Sequence, residues 1–230
     1  MDGDTIIPIF GQFLLIIAII SSVNQIFRFQ NAGNKLFRTI ALITQIFPFF
    51  FLVFAFISHF SSLKLVTVYG GADLPLLYRI SAFWGGRAGP LLLFGALMSI
   101  VTWLMTEREM LDYDVRIMHG FTLGILVISW FLEPFANSAG VTPSELNPLL
   151  QTDLMVIHPP VVFFYYALCI ATAAVAMGGV ISGKSAKDIH ESQLHWARAG
   201  FLAGTIGIGL GGLWAYTVLD WGGYWAWDPV

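Results

Sequence analysis

This sequence predicts an all-α, polytopic transmembrane helical bundle of about six spans with both termini on the outer side, and three observations carry that reading. The 230 residues are 57% hydrophobic and 11% charged, against roughly 25% charged in an ordinary soluble domain, so much of the chain is matched to lipid. Apolar runs of the roughly 20 residues needed to cross a bilayer occur six times. Lysine and arginine divide unevenly between the two alternating sets of connecting segments, eight against three.

The runs fall near Thr5 to Phe27, Thr39 to His59, Ala88 to Met105, Ile117 to Ala136, Ile157 to Ile181 and Gly200 to Leu219. The first follows Asp2 and Asp4 instead of a basic stretch, exceeds the usual signal-peptide core and lacks a small-residue cleavage site, so it reads as a span. In the second, Pro48 with Gln45 offers one possible break. The fifth carries the chain's one cysteine, Cys169, which excludes an intramolecular disulfide or cysteine metal cluster and reads as a buried structural thiol. In the sixth, Gly200, Gly204, Gly207 and Gly211 recur at helical spacing and give a smooth face for close helix packing.

Orientation follows from charge. Arg28, Lys35, Arg38, Arg108, Arg116, Lys184, Lys187 and Arg198 fall on one side, and Lys64, Arg79 and Arg87 on the other. The first set is expected to be cytoplasmic. The segments Phe60 to Arg87 and Asn137 to Val156, and the Trp-rich C-terminal stretch, are then outside. The formal charge of -3 says little about partners when most of the surface faces acyl chains; the bilayer is the expected surroundings, and no nucleic-acid partner is expected.

Two patterns are set aside. Gly207, Gly209 and Gly212 match the dinucleotide G-x-G-x-x-G spacing, but that turn follows a strand in a βαβ unit, not an apolar run. His190, Glu191 and His195 resemble a zinc-protease signature, yet the histidines stand five apart instead of four; they read as polar residues of an inner loop. His59 and His119 read as interfacial residues near span ends.

The chemistry concentrates on the outer side. Trp221, Tyr224, Trp225 and Trp227 crowd together after the sixth span, around Gly222 and Gly223 and bracketed by Asp220 and Asp228. An aromatic belt at headgroup level needs no glycine pair, whereas glycines let the backbone approach a ligand closely. A flat apolar platform with polar edges suits a planar macrocycle with ionic side groups. His158 precedes Pro159 and Pro160 at the expected start of the fifth span. There the prolines would occupy the first helical turn, with the histidine extended before them at the membrane rim. A neutral imidazole is a common haem-iron ligand, and its second ring nitrogen needs an outer-shell partner.

The stretch Trp221-Gly222-Gly223-Tyr224-Trp225-Ala226-Trp227-Asp228-Pro229-Val230 resembles the opening of the WWD signature of haem-handling membrane proteins, most closely the CcmF haem lyase family of cytochrome c maturation. Leu74-Pro75, Tyr78-Arg79, Trp84-Gly85-Gly86, Leu146-Asn147-Pro148-Leu149-Leu150-Gln151 and Ile157-His158-Pro159-Pro160 extend the resemblance over nearly the whole chain. It implies a protein that presents haem on the WWD platform at the outer face of a bacterial inner or organellar inner membrane. His158 would be one axial iron ligand, and the vinyl groups would be joined to cysteine thiols of apocytochrome c. Other maturation membrane subunits are implied partners. The family usually has Trp at Tyr224, Phe at Ala226, and His-Glu-Gly-Ser where this chain has Gly86-Arg87-Ala88-Gly89-Pro90. Its members continue past the signature through many further spans, with a partner histidine and a second haem site. The 230 residues are therefore expected to form one membrane-embedded domain, the N-terminal portion of a longer protein or one piece of a split one, holding haem weakly or not at all alone. The alternatives are a haem transporter or chaperone of the sibling CcmC or CcsA type, an ion-coupled secondary transporter, or a scaffold for other subunits.

Overall fold

The computed structural model describes residues 3–27, 35–71, 73–108 and 112–218. Among the described residues it is all-helical, and an isolated bridge between Leu63 and Asn137 is its one sheet-like pairing. Six helices are long and apolar enough to cross a membrane: α1 (Gly3–Phe27), α2 (Lys35–Ile57), α5 (Ala88–Glu107), α6 (Asp112–Phe131), α7 (Asp153–Ile181) and α8 (Ala186–Thr217). Two short helices, α3 (Lys64–Tyr69) and α4 (Leu76–Ser81), and a 3₁₀ turn over Ala82–Gly85 connect α2 to α5. A second 3₁₀ turn, Pro148–Leu150, precedes α7.

The number of spans is as the apolar runs require; several boundaries differ, among them the starts of α6, α7 and α8. α6 begins at Asp112, where Asp112 and Asp114 lie in its first turn and complement the positive end of the helix dipole. α8 begins fourteen residues before Gly200, at Ala186. Ser185 starts it there, its Oγ accepting from the Asp188 backbone N–H at 3.2 Å in a standard N-cap. His190, Glu191 and His195 thus lie on a polar helical extension, not on a loop.

Packing inside the bundle is close and largely apolar. Phe56, Phe83, Trp84, Leu92, Phe135, Met155 and Trp214 form one core, and Met98, Met105, Met118, Leu168 and Trp196 another. Large apolar side chains such as Phe13, Phe27, Phe54, Phe131 and Phe201 are exposed on the bundle surface, as residues solvated by acyl chains are. The glycine face of α8 packs on α7 as its spacing requires. A Cβ on Gly204 would stand 2.9 Å from the Tyr165 ring, one on Gly207 3.3 Å from Val162 and one on Gly200 3.4 Å from Leu168. Cys169 is exposed on α7, contrary to a buried thiol: small, weakly polar sulfur is as much at home against lipid as in a core.

His119, expected at an interface, is instead buried, as is Gln45. One Gln45 Nε2–H donates to Ser22 Oγ at 3.0 Å and the other to His119 Nδ1 at 3.3 Å, while the Ser22 hydroxyl donates to the Ala18 carbonyl. An amide nitrogen only donates, so Nδ1 accepts and the neutral ring carries its proton on Nε2. Beside this chain lies a cavity of about 10 Å³ lined by Gln45, His119, Trp103 and Thr102, the size of one water molecule. Pro48 does not break α2, which runs unbroken through it.

The connections at one end of the bundle are knit by backbone bonds. The Lys64 N–H donates to the Ala136 carbonyl at 2.9 Å, Ser138 to Ser62 at 3.0 Å and Ser144 to Thr67 at 3.0 Å. This end carries α3, α4, the start of α7 and the close of α8. At the other end Arg38 donates to the Thr106 carbonyl at 3.0 Å and faces Glu107 at 3.7 Å, tying α2 to α5.

Candidate functional site

His158 does not lie in an extended segment before a helix. α7 starts five residues earlier, at Asp153, because Thr152 caps it: Oγ1 accepts from the Met155 N–H at 3.3 Å. Pro159 and Pro160 then fall inside the helix, where each lacks the N–H that would serve the carbonyl four residues back. For Pro159 that carbonyl belongs to Met155, and Trp84 takes the vacant role: its indole N–H donates to the Met155 oxygen at 2.7 Å in a buried bond. Neighbouring side chains that satisfy freed carbonyls are what makes proline tolerable in a membrane helix. Trp84 sits in the 3₁₀ turn Ala82–Gly85, so the Trp-Gly-Gly and His-Pro-Pro stretches, 74 residues apart at Trp84 and His158, form one structural unit.

His158 lies on α7, in the seam between α7 and α8. It is 6% exposed. Its Nδ1 lies 3.1 Å from the Gly207 carbonyl oxygen, and a carbonyl only accepts, so Nδ1 carries the proton and the lone pair of the neutral ring is on Nε2. The outer-shell partner that a ligating imidazole needs is thus a helix backbone carbonyl, fixed by the close α7–α8 approach at Gly207. The ring edge meets Trp214 at 5.7 Å between centroids and 75° between planes. Trp214 is itself buried, and its indole N–H has no partner among the described residues. An orphaned donor beside an oriented imidazole fits a ligand with a metal centre and acceptor groups at its edge, as haem has.

Tyr78 on α4 donates from its hydroxyl to Asp153 Oδ1 at 3.3 Å, holding the α4 segment to the start of α7. Desolvation and then the Asp153 carboxylate raise the Tyr78 pKa above its ordinary value. Trp221, Gly222, Gly223, Tyr224, Trp225, Trp227 and Asp228 lie outside the described residues; α8 closes at Thr217, one turn beyond Trp214.

Reading residues alone overlooked Trp84 as a donor, and Gly207 and Trp214 as the setting of His158. The signal for the first was a proline pair followed by more than twenty further residues of an apolar run. Such a run continues through its prolines and needs an outside donor. No comparable signal marks Gly207, whose part is played by a backbone oxygen.

Fold and site define a polytopic membrane protein with a histidine oriented in a glycine-lined helix seam. The chain belongs to the cytochrome C assembly protein family, whose model matches residues 84–230. It is 34% identical over 212 residues to the cytochrome c-type biogenesis protein CcmF of Escherichia coli strain K12, covering 86% of this chain and 32% of that protein. It is 30% identical over 190 residues to the cytochrome c-type biogenesis protein NrfE of Haemophilus influenzae, covering 78% of this chain and 30% of that protein. A solved structure of the cytochrome c heme lyase CcmF superposes with a TM-score of 0.72 at 23% identity, over 97% of this chain and 38% of that one. That likeness concerns the fold. The chain spans about a third of the length of these relatives.

Proposed function

We propose that this chain supplies the haem-presenting part of a cytochrome c maturation protein, with His158 as one axial iron ligand and Trp221, Gly222, Gly223, Tyr224, Trp225, Trp227 and Asp228 as the platform for the macrocycle. Haem is the substrate here, and apocytochrome c the polypeptide that receives it. The end of the bundle bearing His158 faces away from the cytoplasm in this reading, supported by eight cationic residues on one side against three on the other.

The observation that carries the proposal is the His158 geometry. A proton committed to the Gly207 carbonyl at 3.1 Å directs the Nε2 lone pair away from that bond and raises ligand basicity. Trp214, whose buried N–H has no partner among the described residues, stands ready to donate to an acceptor at the macrocycle edge. The protein's work is then to orient the substrate and hold the iron, and orientation alone can supply several kcal/mol of a reaction barrier. Joining vinyl groups to thiols calls on cysteines of the polypeptide substrate, and Cys169 has no part in it. The chain forms a single membrane-embedded domain in this reading.

Haem titration followed by absorbance tests this. In a full-length context His158→Ala, Trp225→Ala and Asp228→Ala each lower haem retention and cytochrome c assembly; unchanged values in all three end the proposal. Tight six-coordinate binding by the purified chain alone would show that it needs no further ligands.

A further inference from the structure

At the same end of the bundle as His158, a cavity of about 250 Å³ opens between the two knitted connections, with His59, Thr67, Gly70, Gly71, Ser144 and Glu145 in its lining. We infer that this pocket binds one basic side chain, lysine or arginine, of a polypeptide presented at this face. That the polypeptide is the apocytochrome rests on the function proposed above; the pocket's preference for a basic group does not.

Hydrogen bookkeeping carries the inference. The Thr67 hydroxyl donates to the Ser61 carbonyl at 2.8 Å, and the Ser144 hydroxyl donates to the Val68 carbonyl at 2.6 Å. Each hydroxyl has one hydrogen, so what both oxygens have left for a ligand is lone pairs. Glu145 in its ionised form accepts only. The Nδ1 of His59 is buried without a hydrogen-bond partner among the described residues, and a neutral imidazole nitrogen accepts as readily as it donates. Thr67 and Ser144 have only lone pairs left and ionised Glu145 only accepts, while the Ser61 hydroxyl and the His59 ring in the same lining can turn either way. That balance favours a ligand that is all donor, and ammonium and guanidinium groups are the side chains that accept nothing.

The walls are preformed. His59 follows α2 in the left-handed backbone region at φ 53°, a conformation uncommon for a non-glycine residue and a source of local strain. The backbone bond from Ser144 to Thr67, 3.0 Å, joins the two sides. Gly71 keeps the floor open, for a Cβ there would stand 3.4 Å from the Glu145 side chain. Size narrows the occupant. The volume falls below the roughly 300–1,000 Å³ of sites for drug-sized ligands, so it suits one long side chain and excludes a macrocycle. A divalent cation is the rival acceptor-free occupant, but among the described residues no three His, Cys, Asp or Glu side chains gather.

The experiment uses the purified chain in phosphatidylcholine nanodiscs and two short capped fluorescent peptides that differ at one central residue, lysine or uncharged norleucine. Anisotropy is expected to give the lysine peptide about tenfold tighter binding, the size of a charge-assisted hydrogen-bonded contact. Glu145→Gln should erase that difference, and Gly71→Val should weaken the lysine peptide by filling the floor. Glu133→Gln, a charge change at the same end but outside the pocket lining, should leave the difference intact. Equal affinity for the two peptides overturns the inference. So does an equal loss in Glu133→Gln, which would mean a diffuse field, or stoichiometric calcium binding that displaces the lysine peptide. No haem enters this assay, so its failure leaves the haem titration and its reading untouched.

Discussion

The Trp84 indole nitrogen lies 2.7 Å from the Met155 carbonyl oxygen, the acceptor that Pro159 deprives of its helical donor. A side chain from one connecting segment thereby completes the backbone of a distant helix, one turn below the candidate ligand His158. Losing that donor strands a buried carbonyl, which costs about 1–3 kcal/mol.

Trp84→Phe keeps the ring packing and removes the N–H. It is expected to lower stability by that amount in a thermal unfolding assay in detergent. Pro159→Ala restores a backbone donor for Met155, so the double variant Trp84→Phe with Pro159→Ala should recover most of the loss. A double variant no more stable than Trp84→Phe would mean that the hydrogen bond is not the source of the effect.

The glycine seam of α8 makes a second comparison. Gly204→Ala places a Cβ 2.9 Å from the Tyr165 ring, and overpacking of this kind costs about 1–3 kcal/mol. Gly209 meets nothing within 4 Å, so Gly209→Ala is expected to be neutral or to stabilise by up to about 1 kcal/mol through helix propensity. Because the seam also sets the His158 to Gly207 distance, Gly204→Ala should weaken haem retention in the full-length context where Gly209→Ala does not. Equal unfolding midpoints and equal retention for the two variants would remove the seam from the argument.

What the residues announce in advance depends on how local the cause is. Span number follows from run length alone, and the α7-facing side of α8 follows from four glycines at helical spacing; both are as the structure has them. Local rules misled at Pro159, where a preference for proline in the first helical turn was applied without noticing that Thr152 caps the helix seven residues earlier. α8 lengthened for a like reason, since Ser185 and Asp188 start a helix whose first turns are too polar for an apolar-run search. His119 looked interfacial because its partner Gln45 lies 74 residues away in sequence, and no periodicity in either helix reports that meeting.

The role proposed for His158 separates from its packing role by chemical rescue. His158→Gly leaves space beside Trp214 that free imidazole can enter. Haem absorbance in the full-length context is expected to fall at least tenfold in that variant, and to return on adding imidazole. A variant that loses the absorbance without rescue would assign His158 to the α7–α8 seam, and one that keeps it would remove the residue from the iron.

The interior polar chain answers to a different logic, because leaving one partner orphaned costs more than removing both. Gln45→Leu strands the acceptor Nδ1 of His119, and His119→Leu strands an N–H of Gln45, each in a buried setting. Either single variant is expected to lose about 1–3 kcal/mol. The double variant, apolar on both sides and of similar volume, should be no worse than either single one, with a coupling energy of about 0.5–3 kcal/mol in a full cycle. Gln45 Oε1 has no partner among the described residues, which favours the apolar pair further. Additive losses would instead mean that the two residues act on separate parts of the bundle, and that the 3.3 Å contact contributes nothing.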